Sequence, residues 1–345
     1  MTLLTRPPAV FHNLQCARAL AALAVVGYHM NVLPFGSSGV DVFFVISGFI
    51  MSYVAPREGR AFFMKRLIRI VPLYWMTTLG VYAIAVLRPQ WLNTTTADLA
   101  YLVKSLLFIP YIKENGHWGP LNLNGWTLEY EMLFYVVIAV SLVLVRARYA
   151  TTLAALLLAL FCGYVAAGGP FGAVAAHLGQ PFVLEFGLGV LACHALEAGI
   201  GRRLSSSAWV AIAAAGVAAI MLFHVFHGTP AGVARVAGWG VPACLLVVAL
   251  IALDLRGWTV TNRIAAALGA ASYSIYLIHP YVIGIAGKIV NVHANLVTGR
   301  GVMATLAMFA AVCLSGYACH VWVERPMLAV LNRWNRSSRR APGAA

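Results

Sequence analysis

The chain has 345 residues and a formal net charge of +14, yet only 10% of its residues are charged and 61% are hydrophobic. A mean hydropathy of +0.83 excludes an ordinary soluble globular protein, and no polar stretch is long enough to build a separate soluble core. Nucleic-acid binding does not follow from the basic balance, because no soluble fold is there to display it.

Apolar runs of membrane-spanning length predict ten helices, at 14–35, 39–56, 68–87, 124–145, 149–168, 181–198, 207–226, 236–254, 268–289 and 301–323. The first run lacks a small-residue cleavage site and a second follows from Gly39, so it reads as a retained span rather than a signal peptide. Lys and Arg set the orientation. With the N-terminus inside, the inner segments hold 17 of them and the outer segments 6. The expected fold is therefore all-α and polytopic, with both termini cytoplasmic and the charge also favouring anionic lipid. Residues 1–330 form one integral-membrane domain, and 331–345 read as a basic tail, expected to be disordered. No internal repeat stands out. The six cysteines show neither metal spacing nor a disulfide framework and read as small core residues.

The first helix carries Arg18 and His29, eleven residues apart. Eleven steps of about 100° leave two side chains only about 20° apart, on one stripe about 16 Å long. Ionisable groups at such depth are costly in hydrocarbon and usually mark a site. Asp41 opens the second helix. Glu131 lies roughly 10 Å below the outer surface in the fourth helix, and His29 roughly 9 Å below it in the first. His279, followed by Pro280, falls near the middle of the ninth. A base, acidic partners and a second imidazole at matching depth describe a buried reaction chamber. His117, His224, His227, His293 and His320 sit near helix ends and are given no role.

Between the second and third helices, Arg66 and Arg69 stand three residues apart and share a helical face. Beside the mouth of Arg18 they suit a phosphate-bearing donor, which guanidinium groups grip through bidentate charge-assisted bonds. The segment from Asp98 to Ile109 has an apolar stripe suited to the outer interface, where it could cover an acceptor entrance.

These residues resemble the acyltransferase-3 family of integral-membrane acyltransferases, in particular the branch associated with bacterial exopolysaccharide O-acetylation. The likeness runs from Leu14 to Pro326. Arg18 and His29 resemble its first-helix signature, Gly39 to Phe49 its second block, and Arg66 with Arg69 before Pro72 its basic loop. Trp126 to Glu131 with Phe134 and Tyr135 is similar to its acidic block, and Ser272 to Pro280 to its ninth-helix block. Met132 stands where many relatives have a second acid, and no appended esterase-like domain is visible.

The resemblance implies an O-acyltransferase of the bacterial inner membrane. It would take acetyl-CoA, or a close acyl-CoA, from the cytoplasm, with the phosphates on Arg18, Arg66 and Arg69. The acceptor would be a hydroxyl of a sugar, a lipid-linked oligosaccharide or a polysaccharide. No metal and no nucleic acid are implied. His29 would act as general base, with Glu131 or Asp41 fixing its tautomer. Direct transfer and an acyl-His29 intermediate both remain open. His279, Trp126, Asn124 and Tyr276 are expected to line the site, and the last three are candidate oxyanion donors. The rival reading is a proton-coupled transporter of a polysaccharide precursor, with His29 and Glu131 as relay groups.

Overall fold

The computed structural model describes residues 11–92, 96–114, 116–170, 172–290 and 299–338. The helices are α1 His12–His29, α2 Gly39–Glu58, α3 Phe62–Leu87, α4 Leu99–Leu106, α5 Trp126–Leu144, α6 Ala150–Ala166, α7 Ala173–Leu178 and α8 Phe182–Glu197. They continue as α9 Ser206–His227, α10 Gly232–Arg235, α11 Val241–Leu255, α12 Arg263–Ala270, α13 Ser272–Val290, α14 Gly299–Cys319 and α15 Arg325–Ser338. Among the described residues there is no strand, only an isolated bridge between Ile112 and Trp118.

Each predicted span overlaps one long helix, although α1 stops at His29, short of the predicted end at 35. Among the described residues, seven stretches are long and apolar enough to cross a membrane, or eight if α12 and α13, bent by 74°, count as one span. One stretch, Gly36–Leu87, contains both α2 and α3. The α1 helix is not among the seven, because Asn13, Gln15, Arg18 and His29 dilute its hydropathy. At the other end of the chain, α15 carries helix through residues 331–338, which the sequence reads as tail. His293 and residues 339–345 lie outside the described residues.

The helices break where the backbone leaves the right-handed region. Asn31, at φ 58°, ends α1 ahead of Pro34, and Gly59, at φ 52°, separates α2 from α3. Many are apolar on every face, as expected where one side meets protein and the other lipid. The exposed Met221, Leu222, Val225 and Phe226 give α9 such an outer face.

The centre of the bundle is α2, which crosses α8 at two glycines. A Cβ on Gly48 would stand 2.1 Å from the Phe186 carbonyl oxygen, and one on Gly189 would stand 2.1 Å from that of Val45. Without hydrocarbon burial to drive association, close backbone approach of this kind supplies much of the helix–helix attraction. Three buried clusters pack around α2. Their representative members are Phe44, Tyr130 and Phe186 in the first, Val45, Cys193 and Val247 in the second, and Val26, Ile275 and Met308 in the third. Phe43 packs against all three.

The crossing makes a direct prediction. Overpacking costs roughly 1–3 kcal/mol or more, so Gly48→Leu should lower the thermal midpoint in detergent and broaden the gel-filtration peak. Gly80→Leu, where an added Cβ meets nothing within 4 Å, should leave both unchanged. Equal behaviour of the two variants would dismiss the α2–α8 contact as the tight point.

Candidate active site

A cavity of about 530 Å³ opens among α1, α2, α3, α5 and α13. Helical periodicity explains its lining. Phe43, Ser47, Ile50 and Val54 on α2 follow each other by three or four residues, as do Thr127, Glu131 and Tyr135 on α5 and Ser272 and Tyr276 on α13. Each set therefore shows one face to the cavity.

Arg18, Arg66 and Arg69 gather at one end. Arg18 donates from Nη2 to Ser272 Oγ at 3.0 Å. Arg66 is buried and donates from Nη2 to both carboxylate oxygens of Glu58 at 3.0 Å, while its Nε is buried without a partner. Lys65 shares Glu58 at 3.2 Å. Arg69 is exposed on the same rim. Positive charge thus exceeds what Glu58 balances, and the orphaned Nε adds a donor already stripped of water. Both features suit an anionic group such as a phosphate. Deeper in, Glu131 Oε1 accepts from Ser47 Oγ at 3.2 Å and from the Tyr135 hydroxyl.

The two imidazoles meet at the far end. His29 Nδ1 lies 2.9 Å from the Val25 carbonyl oxygen and 3.2 Å from His279 Nε2. His279 is fully buried, with Nδ1 3.2 Å from the Ile275 carbonyl oxygen and 3.4 Å from Asn124 Nδ2. Both rings are thus addressed by the carbonyl four residues back on their own helix. With each Nδ1 protonated and donating there, His279 Nε2 also accepts from His29, and His29 Nε2 keeps its lone pair. His29 itself is exposed at its helix end. Asn124 donates to the Tyr276 carbonyl oxygen, and the Tyr276 hydroxyl pairs with Thr127 Oγ1 at 3.1 Å.

The expected chamber is therefore split. His29, His279, Asn124 and Tyr276 come together, but neither carboxylate reaches His29. Glu131 lines the arginine-bearing cavity, which His29, His279 and Asn124 do not line. Asp41 points the other way, fully buried in a bidentate pair with Arg235: Nε to Oδ1 at 3.0 Å and Nη2 to Oδ2 at 2.7 Å. Arg235 also donates to the Ser37 carbonyl oxygen and lies over the rings of Phe182 and Trp239, with Glu185 buried beside Asp41. Trp126 packs edge-on against Tyr130 and tilted against Phe182, away from the cavity.

Several participants were not singled out from the sequence. Ser47, Thr127, Ser272 and Tyr135 fall inside the blocks that carry the family resemblance but were given no role of their own; their spacing from Glu131 and Tyr276 was the further signal. Arg235 reads as an outer-loop charge; its place immediately before an apolar run was the available signal. Glu129 is buried 3.4 Å from His177, which stacks on Trp118, beneath the segment that follows α4. The end of α4 is tied down by the Tyr74 hydroxyl on the Ser105 carbonyl, and the segment after it by Tyr281 on Asn122. His320 bonds Glu324 at 2.8 Å, and Ser274 donates to the same carboxylate at 2.6 Å.

Comparison with known proteins adds an independent line. Residues 11–320 match the family described as the acyltransferase domain. The exopolysaccharide production protein ExoZ of Rhizobium meliloti is 35% identical, covering 92% of this chain and 96% of its own length. The acyltransferase MdmB of Streptomyces mycarofaciens is 28% identical, covering 95% and 94%. The peptidoglycan O-acetyltransferase OatA of Listeria monocytogenes is 30% identical, over 35% of this chain and 22% of its own. No solved structure shows a significant match.

The ion pair can be separated from the chemistry by substitution. Breaking one side of a buried pair costs about 3–5 kcal/mol, whereas replacing both partners is often neutral. Asp41→Asn should depress the thermal midpoint, and Asp41→Asn with Arg235→Met should largely restore it. A restored double variant that has lost acyl transfer would put Asp41 into the reaction itself.

Proposed function

The chain belongs to this acyltransferase family and is an integral-membrane enzyme, and from that premise we propose that it moves an acetyl or similar short acyl group from cytoplasmic acyl-CoA to a hydroxyl of an exported sugar or polysaccharide. One observation carries the reading. A single cavity is lined by three guanidinium groups and by Tyr276, whose ring faces His279, which in turn faces His29. The transporter alternative gives no reason for the arginines, whereas a donor bearing several phosphates does. The extensive similarity to an exopolysaccharide production protein supports a sugar acceptor.

The chain is read with ten spans, both termini in the cytoplasm and the arginine end facing inward, in the bacterial inner membrane. Arg18, Arg66 and Arg69 then hold the donor's phosphates, and Arg66 exchanges part of its bond to Glu58 for them. The acceptor hydroxyl arrives from the opposite side, where His29 is exposed. His29 Nε2 takes the hydroxyl proton as the oxygen bonds to the acyl carbon. The carbon–sulfur bond breaks, and the leaving thiolate recovers the proton from the imidazolium. Val25 O and the lone pair of His279 Nε2 both face the imidazolium Nδ1–H, doing what a carboxylate does in a Ser-His-Asp site. Glu131, between Ser47 and Tyr135, balances the arginine field where the uncharged pantetheine arm passes.

His29→Ala should abolish transfer while insertion and expression persist; near-normal transfer would remove the base. His279→Ala should lower kcat more than donor affinity, because it acts through His29. Arg69→Ala should weaken acetyl-CoA binding about tenfold or more, since charge-assisted bonds contribute about 1.5–3 kcal/mol. Arg69→Lys should recover only part of that, and added salt should weaken the wild type. Titration of purified protein in detergent reads all three, and unaltered binding by Arg69→Ala would displace the phosphates from this rim. Reporter fusions after Arg148 should face the cytoplasm and those after Gly172 the opposite side; reversal of both would invert the topology.

A further inference from the structure

The donor cavity and the imidazole pair lie on opposite sides of one aromatic partition. Phe43 and Tyr276 both line the cavity, and their rings meet at 6.1 Å and 65°. Tyr276 also faces His279, at 6.0 Å between centroids, and His279 faces His29 at 4.9 Å. The sequence of groups is therefore cavity, Phe43–Tyr276, His279, His29. Val40 and Leu128 also line the cavity.

The two halves of the partition differ in how firmly they are held. Tyr276 is 7% exposed, its hydroxyl is bonded to Thr127, and its carbonyl accepts from Asn124. Phe43 has no hydrogen-bonding atom and is only partly buried, at the junction of the three apolar clusters. A ring in that position has apolar surroundings on several sides and no polar tie to one of them.

We propose that Phe43 is the specificity-determining residue for the acyl group. Its ring, set against Tyr276, closes the end of the donor cavity, and the space under it admits a short acyl chain and rejects longer ones. This rests on the acyl-CoA reading given above. The thioester carbonyl comes to rest beneath the partition, with the acyl chain against the Phe43 ring and Tyr276 fixed by its bond to Thr127. Chain length is discriminated sterically: each methylene that has no room against the Phe43 ring costs binding, by about tenfold or more where a pocket wall is rigid.

The test is titration of the purified full-length protein in detergent with CoA, acetyl-CoA, butyryl-CoA and hexanoyl-CoA, for wild type, Phe43→Leu and Phe43→Ala. Wild type should bind CoA and acetyl-CoA and lose affinity stepwise for the longer thioesters. Phe43→Ala should raise the hexanoyl-to-acetyl affinity ratio about tenfold or more, with affinity for CoA itself unchanged. Phe43→Leu should lie between, and carries the comparison if the alanine variant does not give a monodisperse preparation. Equal wild-type affinity for all three thioesters would overturn the assignment and leave the donor reading standing. So would a hexanoyl-to-acetyl ratio that neither substitution moves. If folded wild-type protein binds neither CoA nor any thioester, the donor reading fails and this assignment fails with it.

Discussion

The bidentate bond between Asp41 and Arg235 sets the rotation of α2, and the site depends on that rotation. Gly48 follows Asp41 by seven residues, about 20° from it around the helix, so the ion pair and the α8 crossing share one face. Phe43 and Ser47 stand about 160° and about 120° away, on the face that lines the cavity. A charge pair deep among apolar helices is unforgiving of misalignment, because a lost partner leaves an uncompensated charge out of water. The same face carries the closest backbone approach in α2, so electrostatics and packing enforce one azimuth.

The site that follows divides its electrostatics by position. The arginines collect where the cavity opens, partly balanced by Glu58, with Glu131 further in. Among the described residues, the hydrogen-bonding partners of the two imidazoles are carbonyls, an amide and each other. On the proposed reading of His29 as base, the guanidinium groups stand apart from it, so their charge does not oppose its protonation at short range.

Much of this was legible in the chain alone. Hydropathy located the helices because each span must be apolar over membrane length. The eleven-residue spacing correctly put Arg18 and His29 on one stripe, since azimuth within a single helix is fixed by 3.6 residues per turn. Glu131 was found as an acid at depth, and His279 as a second imidazole, because ionisable residues are conspicuous in apolar runs.

Partnership was decided only by tertiary structure. Asp41 and Glu131 looked equivalent in sequence, two acids in the outer half of two spans; the first met Arg235, 194 positions away, and the second met Ser47 and Tyr135. Spacing fixes which residues of one helix share a face but not the direction in which that face points, because the rotation of each helix is set by its neighbours. The aromatic partition was half hidden: Tyr276 was expected to line the site, but Phe43, a common residue in an apolar helix, acquires meaning only by standing against Tyr276 at the cavity wall. Depth and stripe are one-dimensional properties that the sequence carries; which stripes face one another is a property of the assembled bundle.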